Sequence, residues 1–340
     1  MSEETKDVKD VDGHTVRYPF VRQLYGERGI RKDLPKRRPP DELSEELKQL
    51  DFGITIMSHC GGSNGRLSVL LSSIPENYKV IVSDDAVSPE DVKTDKEICD
   101  WHGVEYAHLT PWAGRAGNAI NAMNCQKWEL VLFLNDDIWL FPETIKDSLT
   151  WYKKFIDLGL PIAGMQFPGW ETWGTGDPKT STGCGHYSFW GFKSWNDCLD
   201  NPLKFDEMVK PNPHYSSGPG IGRVFGCCMM IDRKVYNEVG GFPTNFWAED
   251  DAYNYLVYKT PKWVIPYFPG RGYMHYGAQS WHKGEKTEYV GSIEDAYKMT
   301  PEECGRIQGE SRTELQKIYG HIFDKLKLNI ESFPKYPYSD

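Results

Sequence analysis

Three polar residues, Asn135, Asp136 and Asp137, directly follow an apolar run at residues 130–134. A continuous apolar run of this length, bounded by polar residues, is typical of a fully buried strand. Burial disfavours the charged form of a carboxyl group, and a neighbouring negative charge adds to the cost. Either a cation neutralises these acids, or they point outward and cap the helix that follows. Oxygen ligands of this kind suit Mg²⁺ or Mn²⁺, which commonly bind phosphate oxygens as well.

A second group of acids, Glu249, Asp250 and Asp251, opens a predicted helix after a Gly-Gly-Phe-Pro sequence and two aromatic residues. Acids in the first turn complement the helix dipole, and a carboxylate in an aromatic-lined pocket can also act as a general base. His275 ends a short predicted strand, where it would be a third metal ligand, a phosphate contact or a hydrogen-bonded core residue.

The elements that must position these residues alternate between strand and helix from residue 51 onward. Strands are predicted at residues 52–58, 78–85, 104–109, 129–134 and 161–167, with helices between them. The helix at residues 88–103 is predicted to start at Ser88 and Pro89 and to stop at Gly103. Such alternation predicts an α/β fold with a mainly parallel sheet flanked by helices. Ligands bind beyond the carboxyl ends of such strands, so the acids at 84–85 and 135–137 are expected on one rim.

Residues 168–222 interrupt this pattern with a segment rich in Gly, Pro, Trp and Tyr. A long irregular segment inside a compact domain is usually functional or disordered, and the tryptophans argue against disorder. We expect an aromatic acceptor surface that includes Trp190, Trp195 and, further along the chain, Trp247. The alternative is a small packed subdomain that uses tryptophan as its core.

Regular structure is predicted again after the insert, with a strand at 223–233 and helices at 234–242 and 248–260. Short strands at 262–268 and 272–277 and a long helix or helix pair at 300–328 complete the chain. We therefore divide it into an N-terminal extension (1–50), a central domain (51–284, with the insert 168–222) and a C-terminal helical extension (285–340). The basic, proline-containing stretch at 28–40 is either a solvated linker or a contact for a phosphate backbone or an acidic partner.

Composition excludes some classes of function. The formal net charge of −10 over 340 residues argues against non-specific nucleic-acid binding through a globally basic surface. No apolar stretch reaches the roughly 18 residues of a membrane span, and the charged N-terminus has no apolar core of a secretory signal. The eight Cys show no disulfide framework, which favours a cytoplasmic location. Phosphate-loop and zinc-protease motifs are missing from the sequence.

Five segments in this order resemble the GT-A nucleotide-sugar glycosyltransferases, most closely the inverting family 2, over roughly residues 52–282. The segments are ITIMSHCGGSNGRLSVLLSSI, YKVIVSDDAVS, GRAGNAINAMNCQKWELVLFLNDDIWLFPETI, VFGCCMMIDRKVYNEVGGFPTNFWAEDDAYNYL and HYGAQSW. The resemblance implies a GT-A (Rossmann-like) fold and a nucleoside-diphosphate sugar as donor, with a weak preference for a UDP-sugar. It also implies Mn²⁺ or Mg²⁺ as cofactor.

The resemblance carries roles to individual residues. Asn135 and Asp137 match the metal-binding motif, whose first position is more often Asp, so Asp136 or His275 would contribute more here. Asp250, preceded by Glu249, matches the catalytic base. The expected donor-binding residues are Ser58, Asp84, Asp85, Arg115, Asn118, Asn121, Asn135 and Asp136, with Arg223 or Lys283 as further phosphate contacts.

The implied reaction is a single inverting displacement in which Asp250 deprotonates an acceptor hydroxyl. A retaining transferase, a catalytically inactive sugar- or nucleotide-binding module and a sugar nucleotidyltransferase remain alternatives. The last would use the loop at 59–67, which contains Gly61, Gly62 and Arg66. The acceptor is left open among a glycan or glycoconjugate, a lipid-linked precursor, a protein and a hydroxylated nucleic-acid base. No integral membrane association is expected.

Overall fold

The computed structural model describes eleven stretches of the chain and two short N-terminal strands. The stretches are residues 28–59, 61–86, 88–108, 114–171, 202–203, 206, 220–224, 226–243, 249–267, 270–275 and 297–328. The strands are β1 (Lys6–Lys9), β2 (Thr15–Tyr18), β3 (Phe52–Ser58), β4 (Val80–Asp84), β5 (Glu105–His108), β6 (Leu130–Asn135), β7 (Ile138–Leu140), β8 (Gly164–Gln166), β9 (Gly169–Glu171), β10 (Cys228–Asp232) and β11 (Tyr273–His275). The helices are α1 (Glu45–Lys48), α2 (Arg66–Ser72), α3 (Pro89–His102), α4 (Gly114–Asn124), α5 (Thr144–Asp157), α6 (Arg233–Val239), α7 (Glu249–Tyr258) and α8 (Pro301–Leu328).

A six-stranded sheet in the order β5-β4-β3-β6-β10-β8 forms the centre of the fold. The pairs β3–β4, β3–β6 and β4–β5 are parallel, and β10 is antiparallel to both of its neighbours. In this sheet β10 alone therefore runs against the other strands. The predicted fold class, α/β with a mainly parallel sheet flanked by helices, is confirmed. A smaller sheet in the order β7-β11-β9 adjoins it.

The centre of the core is β6, whose apolar residues are 0–3% exposed. This burial accounts for the continuous apolar run, because a strand covered on both faces does not alternate. Helix boundaries follow local signals. Helix α3 begins with Ser88 as N-cap and Pro89 in the first turn and ends at Gly103 in the left-handed region (φ 68°).

Two later strand predictions were wrong in extent. The strand predicted at 223–233 covers only Cys228–Asp232, because Asn254 holds both backbone polar groups of Val224. The strand predicted at 262–268 is reduced to isolated bridges at Val264, Pro266 and Tyr267. The N–H of Ile265 donates to the Tyr258 hydroxyl and Pro266 has no N–H to donate, so a continuous ladder does not form.

Residues 28–50 and helix α8 both contribute side chains to the hydrophobic core. Leu34 and Leu47 are buried, and Arg37 donates hydrogen bonds to the carbonyls of Pro75 and Tyr78. Within the described part of the C-terminal segment, Pro301–Leu328 form the 28-residue helix α8. Among the helices of the described ranges, none has the length and apolar character that crossing a membrane requires.

Replacing Phe323 of α8 with alanine is expected to destabilise the fold by about 3–5 kcal/mol. Phe323 is 0% exposed and packs edge-to-face on Phe155, with ring centroids 6.3 Å apart. Urea unfolding measures the change. Ile318→Ala is the matched control, because Ile318 lies on the same helix, is 47% exposed, and should change stability by less than about 0.5 kcal/mol. Equal losses in both variants would show that α8 is not anchored through Phe323.

Candidate functional site

The carboxyl ends of four parallel strands form one rim of the central sheet. The register places Ser58 of β3 beside Asp84 of β4, and Asp84 beside His108 of β5. On the other side of β3, Met57 lies beside Asn135 of β6. Both predicted groups of polar residues, at 84–85 and 135–137, therefore lie along this rim, as expected for strands that point the same way.

Asp84 and Asp85 are both buried and have different partners. Asp84 accepts hydrogen bonds from the Tyr106 hydroxyl (2.7 Å) and the backbone N–H of Ala86 (3.1 Å). Burial raises the pKa of Asp84, and these hydrogen bonds oppose the shift. Asp85 Oδ1 lies 2.7 Å from His59 Nδ1, in a pair that leaves His59 partly exposed. His59 was not predicted as a site residue, and its place on a loop gave no periodic signal.

Asn118 of α4 ties the strand ends together. Its amide Nδ2 donates to the Ser58 carbonyl (2.7 Å), and its Oδ1 accepts from the Ser83 hydroxyl (3.1 Å). Asn118 is 2% exposed, so it supports the rim from below. Asn121, one turn further along α4, is partly exposed.

Asp136 points inward, under the loop that follows β3. Its Oδ2 accepts hydrogen bonds from the Ser58 hydroxyl (3.0 Å), the His59 N–H (3.3 Å) and the Arg66 guanidinium (3.4 Å). A Cβ on Gly61 would lie 2.5 Å from the same oxygen, so the loop approaches this closely only with glycine there. Burial raises the pKa of Asp136, and Arg66 opposes the shift. The Asp136 carboxyl thus organises the loop.

Asp137 points toward the smaller sheet. His275 of β11 pairs in register with Ile138 of β7, which places His275 Nε2 3.2 Å from Asp137 Oδ1. Both side chains are buried, at 6% and 8% exposure. Asp137 and His275, both predicted as metal ligands, are therefore neighbours, although the smaller sheet that brings them together was not predicted.

The side chains of Asn135, Asp137 and His275 provide only part of a complete cation site. Asn135 Oδ1 is buried, and no described residue donates a hydrogen bond to it. Such an acceptor calls for a cation or a water molecule. No group of three His, Cys, Asp or Glu residues that could enclose a metal ion occurs in the described part of the chain. A cation held by Asn135, Asp137 and His275 would need ligands from a bound molecule, as Mg²⁺ and Mn²⁺ sites commonly have.

Asp250 is linked to the end of β6 through two hydrogen bonds and the intervening residues Gly226 and Cys227. Its Oδ2 accepts a hydrogen bond from the N–H of Gly226 (2.9 Å), and the neighbouring Cys227 carbonyl accepts from the N–H of Asn135 (3.1 Å). The first turn of α7 is thereby linked to the strand end that carries Asn135. The acid cluster and the strand-end acids are part of one region.

The three acids of α7 differ in environment. Glu249 is 1% exposed, whereas Asp250 and Asp251 are partly exposed. Burial raises the pKa of Asp251; the nearby positive charge of Arg223 opposes the shift and Glu249 adds to it. Arg223, predicted as a phosphate contact, therefore lies near an acid of α7.

Several predicted site residues lie outside what the structure describes. These are Trp190, Trp195, Trp247, Lys283 and the side chain of Arg115. Conversely, sequence reasoning missed Asp95, a fully buried acid on α3 that contacts the loop after β3. Asp95 belongs to no recognisable motif, and an Asp inside an otherwise polar helix is normally predicted to be exposed to solvent.

The chain resembles solved glycosyltransferase structures. One is described as mannosyltransferase PcManGT from Pyrobaculum calidifontis in complex with GDP-Man and Mn²⁺ (TM-score 0.45, 13% identity, 72% of this chain and 63% of that one). Another is S. aureus TarS 1-349 (TM-score 0.46, 14% identity, 84% and 77%). A third is GalNAc-T7 with UDP, GalNAc and Mn²⁺ (TM-score 0.47, 15% identity, 71% and 48%).

The matched region spans less than two thirds of the mannosyltransferase and about half of GalNAc-T7. At these identities and TM-scores the likenesses assign neither residues nor substrates to this chain. No protein-family model and no curated sequence matches it.

Proposed function

We propose that this protein is a metal-dependent glycosyltransferase that moves a sugar from a nucleoside-diphosphate sugar to an acceptor hydroxyl. The observation that carries the proposal is that two groups of polar side chains are linked at one strand end. Asn135, Asp137 and His275 form one of them, and Asp250 is linked to the same strand end through Gly226 and Cys227. A transferase of this kind needs a diphosphate site and a general base next to each other.

Asn135, Asp137 and His275 would hold Mn²⁺ or Mg²⁺ together with the diphosphate of the donor. A bound cation would offset the negative charge that grows on the departing nucleoside diphosphate. The orphaned Asn135 Oδ1 supports this arrangement, because a buried acceptor without a partner is costly. We propose Ser58, Asp84, Asp85, Arg115, Asn118 and Asn121 for the nucleotide side, with Asp136 acting through the loop that it holds.

Asp250 would act as the general base in a single inverting displacement. The N–H of Gly226 orients its carboxylate, and the acceptor oxygen attacks the anomeric carbon as its proton moves to Asp250. No covalent intermediate is needed. A UDP-sugar is the preferred donor, and the resemblance read from the sequence supports it.

The acceptor is proposed to bind on the side of the insert at 168–222, within a catalytic unit of residues 51–284. A glycan or glycoconjugate is favoured over a nucleic-acid base. The basic stretch at 28–40 was the reason to consider a nucleic-acid acceptor, and two of its arginines bind other parts of the protein instead. Arg37 donates to backbone carbonyls, and Arg38 pairs with Asp206 at 2.8 Å.

A sugar nucleotidyltransferase is the second candidate, and the placement of Arg66 disfavours it. The arginine of the loop after β3 would have to face a triphosphate in such an enzyme. Arg66 is instead 3% exposed and donates to Asp136 and to the His59 carbonyl. An inactive binding module would not need a base held beside the diphosphate site.

Product analysis tests the proposal and separates these candidates. The protein is incubated with a panel of UDP- and GDP-sugars and Mn²⁺, with and without chelator, and release of nucleoside diphosphate is measured. A second reaction contains nucleoside triphosphate and sugar 1-phosphate. Chelator-sensitive release of nucleoside diphosphate supports the transferase, whereas release of pyrophosphate in the second reaction supports the nucleotidyltransferase. Binding of nucleotide sugar without any turnover supports the inactive module.

A further inference from the structure

Asp95 is a fully buried carboxyl group that the proposed reaction does not use. It lies on α3, 0% exposed, under the loop that follows β3. Its Oδ1 accepts a hydrogen bond from the N–H of Gly62 (2.6 Å), and its Oδ2 lies 3.5 Å from the Ser58 hydroxyl. A Cβ on Gly62 would come within 2.2 Å of Asp95 Oδ1, so glycine permits this approach.

The Ser58 hydroxyl lies between two carboxyl groups and has one proton to give. Asp136 Oδ2 is the nearer of the two, at 3.0 Å from the Ser58 hydroxyl. It also accepts hydrogen bonds from the His59 N–H and the Arg66 guanidinium. The Arg66 guanidinium gives Asp136 a cationic partner, whereas no basic side chain in the described part of the chain contacts Asp95. A fully buried carboxyl group without a cation in contact favours its neutral form.

The surrounding charges lead to the same protonation state. Asp84 on β4 and Asp136 after β6 are carboxyl groups, Cys99 on α3 and Tyr106 on β5 are acids as well, and Arg66 on α2 is a cation that already contacts Asp136. Several buried carboxylates cannot share one guanidinium without a large desolvation cost. Burial raises the pKa of Asp95 to about 8; Asp84 adds to this shift, and the Gly62 N–H opposes it.

We propose that Asp95 is a positioning residue that works as a neutral acid: it accepts a hydrogen bond from the Gly62 N–H and lies against the Ser58 hydroxyl. It thereby holds residues 58–62 in the shape on which the nucleotide side of the site depends. The protonation state rests on the burial of Asp95 and on the groups around it, whereas the link to nucleotide binding rests on the proposed function.

The first test compares Asp95→Asn with the unmodified protein across pH 4 to 8. Asparagine copies the neutral acid, because its amide can donate to Ser58 while its oxygen accepts from Gly62. A carboxyl whose pKa is raised by folding contributes stability at low pH and loses it as pH rises from 3.8 toward about 8. The melting temperature of the Asn variant relative to wild type should therefore rise steadily over this range. Titration of other groups affects both proteins and largely cancels in the difference.

The second test measures UDP affinity in the presence of Mn²⁺ by calorimetry at pH 7. We expect the Asn variant to bind within about twofold of wild type. We expect Asp95→Ala, which leaves the Gly62 N–H and Ser58 without their partner, to bind about tenfold more weakly. Asp100→Asn is the control on the same helix, since Asp100 is exposed and pairs with Lys96.

Two results would overturn the proposal: a melting-temperature difference that stays flat or falls between pH 4 and 8, or an Asn variant that binds UDP as weakly as the Ala variant. If the Ala variant does not fold, the Asn comparison still decides. If none of the proteins binds UDP or GDP in the presence of Mn²⁺ while the pH-dependent difference is present, Asp95 is a neutral acid and the proposed function is wrong.

Discussion

Asp250→Asn is expected to lower the rate of sugar transfer by about two orders of magnitude or more, because a positioned general base contributes about 10² to 10⁴-fold. Asparagine keeps the size of the side chain and an oxygen that can accept from the Gly226 N–H, now 2.9 Å from Asp250 Oδ2. Donor affinity should barely change, since the acceptor gives up its proton only during the reaction. Steady-state kinetics with a saturating nucleotide sugar, combined with calorimetric binding of the same donor, measure the two effects separately.

Glu249→Gln and Asp251→Asn are the matched controls, because consecutive helix residues project in different directions. Both should lose less activity than Asp250→Asn. If Asp251→Asn loses more activity than Asp250→Asn, Asp251 is the general base of the same reaction, a role that its raised pKa suits. Full activity in all three variants would mean that the acids only complement the helix dipole, and that Asp250 is not the base.

Asp137→Ala is expected to weaken Mn²⁺-dependent binding of a nucleoside diphosphate by at least about tenfold, or about 1.4 kcal/mol. The substitution removes a carboxylate ligand and leaves His275 Nε2 without the oxygen that lies 3.2 Å away. Thermal shift and calorimetry with UDP, each with Mn²⁺ and with chelator, measure the loss. Wild type should respond to Mn²⁺ far more strongly than the variant.

Asp157→Ala is the control for removing an Asp elsewhere, because Asp157 lies on the surface and pairs with Lys153. It should leave the Mn²⁺ response intact. If chelator does not change the affinity of wild type for UDP, the assignment of Asn135, Asp137 and His275 to a cation is wrong. If Asp137→Ala binds UDP and Mn²⁺ normally, the cation is held elsewhere.

Local chemistry made much of the fold predictable. Ser88, Pro89 and Gly103 act through their own backbone and side-chain geometry, so the limits of α3 could be inferred without knowing the tertiary structure. The apolar run of β6 identified a strand covered on both faces. The shortened strand β10 could not be inferred, because Asn254 holds Val224 from a helix far along the chain.

The sequence by itself determined which strand ends carry the acids of the candidate site. Parallel strands joined through helices bring their carboxyl ends to one rim, so Asp84 and Asn135 had to lie along it. That conclusion depends only on the strands being parallel and holds for any order of the strands in the sheet.

Only the tertiary structure decided what each of these acids does. Asp136 and Asp137 are neighbours in the chain, yet the first points under the loop after β3 and the second pairs with His275. Their directions depend on Arg66 and on the pairing of β7 with β11, which are contacts between distant segments. The burial of Asp95 could not be predicted for the same reason. It depends on the loop after β3, which packs over Asp95, and the pattern of side chains along α3 does not indicate that contact.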